Sequence, residues 1–210
     1  MIYLFQGDSV TDCGRNRADP RSLGEGYVKK IAALLRENHP DMNAVVMNRG
    51  VSGNRVRDLA SRWDEDCLEI NPKLLTILIG INDCWRRFDS NDPTTAEDYE
   101  KAYREIINRA YSAVPGLEII LMEPFLLPIP DDRLLWREDL DPKIHAARRV
   151  TVDLKCRLVP LDGLFAQAAA EKGCAFLADD GAHPTDEGHK LIARAWAALY
   201  EMSISVNLPL

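Results

Sequence analysis

The sequence predicts an α/β fold, a three-layer α/β/α sandwich built on a five-stranded parallel sheet. Five apolar runs of strand length recur along the chain, at residues 2–5, 44–48, 74–79, 118–122 and 158–161. They do not alternate apolar with polar residues, which is the pattern of strands covered on both faces. Stretches of helical period separate them, and a repeated strand–helix order implies a doubly wound sheet.

The elements follow in order. Residues 2–5 break into Gln6, Gly7, Asp8 and Ser9, within the string GDSVTDCG. Residues 27–37 set Tyr27, Ile31, Leu34 and Leu35 on one helical stripe. The second run ends in NRGVSGNR, with Gly50 and Gly53 in the following turn. The third leads into GINDCWRR, where Asn82 stands two residues beyond Gly80. Residues 98–112 repeat Tyr99, Ala102, Tyr103, Ile106, Ile107 and Ala110 at three- and four-residue spacing. After the fourth run comes EPFLLP, a Pro-rich stretch that lines or rims a cleft, and residues 125–136 fit a lid or a subunit contact. Residues 142–154, 164–172 and 185–200 read as the remaining helices, the last preceded by DDGAHPTDEGH. No repeat, low-complexity tract or linker divides the chain, so residues 1–210 are read as a single domain.

The composition is that of an ordinary globular protein, and the net charge of -7 disfavours nucleic acid and anionic membranes as partners. No apolar stretch approaches a membrane span, and the N-terminal run is too short for a signal peptide. Five scattered cysteines without a CxxC pair fit free thiols in a reducing compartment, so a cytoplasmic location is expected. Neither GxGxxG nor a Walker A string is present, which argues against a nucleotide or phosphate binder.

Ligand sites in open parallel sheets lie beyond the carboxyl ends of the strands. The residues that follow each run are therefore the candidates, and together they suit acyl transfer. Ser9 can act as nucleophile if a base removes its proton. His183 can be that base near neutral pH, and Asp180, three residues earlier, can hold its second ring nitrogen. Asp179 competes with Asp180 for this place. An oxyanion could be met by the Asn82 amide and the backbone N–H groups of Gly53 and Ser9. Asp8, Trp85 and Arg86 are candidate substrate contacts, although an indole near a cleft is also ordinary packing. Asp12 and Asp83 are read as supports of the loop network, and Trp63 as core or interface. Cys13 and Cys84 lie near the mouth without an activating pattern. His189 with His183, Asp180 and Asp186 could suggest a metal, but a helical His189 should face away from the loop histidine. No metal and no organic cofactor is expected.

The four strings around Ser9, Gly53, Asn82 and Asp180–His183 resemble the four blocks of the SGNH/GDSL hydrolases, in the family's order. The resemblance implies a flavodoxin-like five-stranded sheet, Ser9 as nucleophile, Gly53 and Asn82 in the oxyanion hole, His183 as base and Asp180 as third triad member. Val10 stands where the family name has Leu and keeps an apolar residue there. Longer strings (GDSVTDCGR, SGNRVRDL, RWDED and IGINDCWRRFD) are similar to intracellular acetylxylan esterases. That likeness implies a homo-oligomeric enzyme that deacetylates xylo-oligosaccharides. A short-chain lipase or lysophospholipase, and a non-catalytic carbohydrate-binding member of the fold, are the alternatives.

Overall fold

A computed structural model describes residues 1–205. Five strands, β1 (Ile2–Gly7), β2 (Val45–Asn48), β3 (Leu74–Leu78), β4 (Glu118–Met122) and β5 (Arg157–Val159), form one sheet in the order β2-β1-β3-β4-β5. Every pairing is parallel. The chain steps from β1 out to β2, then crosses back to β3 on the other side of β1. That reversal makes the gap between β1 and β3 the switch point, where the ends of both strands splay apart.

Strand side chains divide by parity. Tyr3, Phe5, Leu74, Leu78, Ile120 and Met122 enter one core, with α2 (Tyr27–Asn38), α7 (Leu161–Lys172), α8 (Cys174–Leu177) and α9 (Asp186–Ser205) over them. Leu4, Leu75, Ile77, Ile119 and Leu121 enter the other, under α3 (Val56–Ser61), α5 (Ala96–Ala113) and α6 (Arg133–Asp153). Trp63 lies in this second core, with 1% of its surface exposed. Each such buried side chain contributes roughly 1.5–3 kcal/mol, and this is why neither face of the strands shows a polar stripe.

Two departures from the expected elements bear on the site. Short helices α1 (Ser9–Asp12) and α4 (Ile81–Asp89) start directly after β1 and β3. They are too short to announce themselves by period. Helix α6 begins at Arg133 rather than 142 and carries Pro142 inside it. A proline there removes one helical donor. The helix continues because Trp136 and Leu140 before it, and Ile144 after it, pack together against Ile81 and Cys84 of α4. The fifth run ends early, since Pro160 closes the strand and Leu161 already opens α7.

Candidate active site

The sheet's carboxyl edge brings residues from both ends of the chain together. Asp8 follows β1 and caps α1, its Oδ1 accepting from the Val10 N–H at 3.0 Å. Ser9 thereby stands at the head of α1, where helical geometry leaves the first N–H groups without intrahelical acceptors. Ser9 Oγ lies 2.9 Å from His183 Nε2, although 174 residues separate the two in sequence. His183 Nδ1 lies 2.7 Å from Asp180 Oδ2. The carboxylate only accepts, so the neutral ring carries its proton on Nδ1 and offers the Nε2 lone pair to the serine.

The Asp180 carboxyl is held firmly. Its Oδ1 accepts from the N–H groups of Ala182 (3.0 Å) and His183 (2.7 Å). Burial raises this acid, but His183 and those two N–H groups outweigh it and keep the pKa below the usual carboxylate range. Gly181 makes the loop possible. Its φ is 83°, and a Cβ there would lie 2.4 Å from the Leu127 carbonyl oxygen and 2.5 Å from that of Ile129. The Leu127 N–H donates to the Gly181 carbonyl at 2.9 Å, so residues 125–129 clamp the histidine loop. Asp179 is exposed and its N–H goes to the His183 carbonyl, whereas the side chain on the imidazole is that of Asp180.

Across from His183 lies the turn after β2. Gly53 has φ 84° and nothing within 4 Å of the place a Cβ would occupy, so this backbone faces open space. Asn82, at the start of α4, donates Nδ2 to the Asn54 carbonyl at 3.1 Å, which fixes its amide beside Gly53. Asp12 Oδ2 accepts from both the N–H and the Oγ of Ser52, each at 2.9 Å, and joins α1 to this turn. Asp83 Oδ2 accepts from the Val56 N–H at 3.1 Å and joins α4 to the start of α3. Both aspartates are thus tethers between elements, as the loop-network reading expects. Burial pushes the Asp83 carboxyl up to about 7, against Val56, Lys143 and Arg55.

The candidate substrate contacts separate. Trp85 is half-buried, 5.7 Å from the His183 ring and 5.0 Å from Trp136, centroid to centroid. Arg86 pairs with Asp89 on its own helix. Asp8 is 1% exposed, turned inward as a cap, and burial raises its pKa to about 7 despite Val10 and His183. It is therefore a support under Ser9 rather than a surface for substrate. Cys84 is fully buried, its thiol pushed up to about 12, first by burial and then by Asp139. Cys13 is half-buried and 3.2 Å from His189 Nε2. Because His189 Nδ1 accepts from the Tyr27 N–H, its Nε2 carries the proton and donates to that sulfur. Burial drives the His189 pKa down to about 4, so it stays neutral.

Asn54, Ser52 and Arg133 belong to the same neighbourhood, and nothing local in the sequence marks them. Arg133 lies over both the Trp136 ring (3.9 Å) and the Trp85 ring (4.9 Å).

The GDSL-like lipase/acylhydrolase family model matches residues 5–191. An acetylxylan esterase of Geobacillus stearothermophilus is 34% identical over 201 residues, 92% of this chain and 90% of that protein. The crystal structure of an acetylxylan esterase from this organism superposes with a TM-score of 0.85 at 32% identity, covering 94% and 93% of the two chains. A Parabacteroides merdae protein described as a GDSL-like lipase gives 0.91 at 34% identity, covering 95% of each chain.

Proposed function

The chain belongs to the GDSL-like lipase/acylhydrolase family and is a carboxylic ester hydrolase, and we propose that it removes acetyl groups from carbohydrates by a serine mechanism. The observation that carries this reading is the Ser9–His183–Asp180 relay, with steps of 2.9 and 2.7 Å. Ser9 Oγ attacks the ester carbonyl carbon as its proton passes to His183 Nε2. Asp180 keeps the ring oriented and stabilises the imidazolium. The carbonyl oxygen, now negative, is met by the N–H groups of Ser9 and Gly53 and by Asn82 Nδ2. Collapse breaks the bond to the sugar oxygen, which leaves with the proton from His183. Water then attacks the acetyl-serine, His183 takes its proton, and acetate departs as Ser9 recovers its hydrogen. None of these steps calls on a metal or an organic cofactor.

The acetylated-sugar assignment, with xylo-oligosaccharides as the model, rests on the acetylxylan esterase relative and on Trp85 beside His183. The reading takes residues 1–210 as one catalytic domain. It also keeps a cytoplasmic, homo-oligomeric enzyme, supported by five free cysteines and by exposed Leu134, Leu135 and Phe176. Among the described residues no helix is long and apolar enough to cross a membrane.

A sulfonyl-fluoride reagent should add once, at Ser9, as read by peptide mass spectrometry. Ser9→Ala should lower turnover of 4-nitrophenyl acetate by a factor on the order of 10⁶. Full activity in that variant would end the serine reading. A panel of acyl lengths addresses the substrate: equal turnover of acetyl and octanoyl esters would favour a lipase instead.

A further inference from the structure

The rim of the site next to Gly53 carries positive charge that the ester chemistry does not use. Around the turn at residues 50–54 stand Arg15, Arg17, Arg49 and Arg62, whose ion pairs among the described residues are made with Asp12 and Asp66 alone. That is four guanidinium groups against two carboxylates, in a chain whose net charge is -7. Asp58, the next acid near Arg62, is engaged by the N–H and guanidinium of Arg55.

Much of this charge is built in. Arg15 donates Nη2 to the Gly50 carbonyl at 2.7 Å, its side chain is 5% exposed, and its Nε makes no hydrogen bond. Arg62 donates Nε to Asn54 Oδ1 and Nη1 to Asp66 Oδ2, and its buried Nη2 also makes none. The arginines act on one another: burial lowers the pKa of Arg15, and Arg49 and Arg17 push it the same way, against Asp12 and Asp66. Arg17 forms the outer edge. Its Nη2 is 2.6 Å from Asp12 Oδ2, the oxygen that holds Ser52, while half of its side chain lies in solvent. One carboxylate thus separates this guanidinium from the residue preceding Gly53. Gathering like charges without matching acids costs Coulomb energy, which an arriving anion would recover.

We propose that this arginine rim is a subsite for an anionic substituent on the sugar, so that the preferred substrates are acetylated carbohydrates also bearing a carboxylate or a phosphate. The inference rests on the esterase reading and narrows it. A guanidinium matches the oxygens of either anion, and the excess charge would steer such esters to the cleft.

The test compares kcat/KM at low salt for monoacetylated xylose, glucuronic acid and glucose 6-phosphate. The charged esters should exceed the neutral one by about tenfold, and the excess should shrink toward unity in about 0.5 M NaCl. The better of the two charged esters identifies the anion. Arg17→Gln should reduce the charged-to-neutral ratio several-fold, and Arg17→Lys should retain part of it. The salt series on the native chain does not depend on how the variants fold. Equal turnover of all three esters would overturn the subsite and leave the esterase reading standing. An unchanged ratio in Arg17→Gln would overturn its placement on this rim. Failure to hydrolyse any of the three, or 4-nitrophenyl acetate, would remove both readings.

Discussion

Ser9 lies between two walls of different material. Toward β2 the wall is polar: Arg17 and Ser52 both donate to Asp12, and Arg62 donates to Asn54 and Asp66, through directional hydrogen bonds of 2.6–2.9 Å. Toward β4 the wall is aromatic. Trp136 stacks on Phe88 with centroids 4.9 Å apart, Trp85 meets it edge-on, and Arg133 lies over the indoles. The first holds a backbone turn in place through charge, and so should respond to salt, pH and single-atom changes. The second supports the histidine through contact area, and should respond to lost volume and little to salt. Positioning the Gly53 N–H needs the accuracy of hydrogen bonds, whereas the imidazole takes its orientation from Asp180 and needs from this wall only a solid neighbour.

The largest effect should come from emptying the aromatic wall. Trp136→Ala should cost about 3–5 kcal/mol of unfolding free energy, as large aromatic deletions from cores do. Denaturant unfolding at low and high salt should give the same loss; a strongly salt-dependent loss would break the contrast. On the polar wall, Asp12→Ala frees Ser52 and with it the turn carrying Gly53. We expect kcat to fall ~10²-fold, comparable to losing an oxyanion donor, with KM changing less. Asp12→Asn, which keeps one acceptor oxygen, should recover part of the rate. A KM effect alone would show that Asp12 does not position this turn.

Asp83 ties the aromatic wall's helix α4 to the polar side and should set a pH dependence. Its folded pKa, near 7, lies above the ordinary 3.8, because burial opposes the charge. Its contribution to stability is therefore complete below pH 3.8 and is lost as pH rises through about 7. Thermal midpoints should fall between about pH 4 and 7 in the native chain and fall less in Asp83→Asn. Parallel profiles would refute this. The smallest effect belongs to Trp85→Leu, which removes a face from the site but little of the core. A rise of a few-fold in KM for an acetylated sugar, worth about 1 kcal/mol, is expected with kcat nearly kept.

Strand positions were legible because a doubly covered strand must be apolar along its length, and residues 118–122 match β4 end to end. The strings that hold the proposed reagents were legible too, although only Gly-Asp-Ser follows a strand; Asp-Gly-Ala-His lies in the loop between α8 and α9. Their supports were not. Asp12 reaches Ser52 across 40 positions, and Arg133 reaches Trp85 from a helix whose inner proline reads as a boundary. Asp8 was misread as a substrate contact because a loop acid looks the same whether it caps a helix or faces solvent. Hydrogen bonds between distant turns leave no periodic trace in a sequence.

Helix α9 starts three residues after His183 and is fixed to the sheet by Trp196, whose indole N–H donates to Thr76 at 3.0 Å, and by Tyr200, whose hydroxyl lies 2.7 Å from that of Tyr3. Ser9 is synthesised 174 residues before the imidazole that the proposed mechanism pairs with it. Under the proposed mechanism hydrolysis needs both groups, so activity should appear only once the segment carrying His183 has docked beside Ser9.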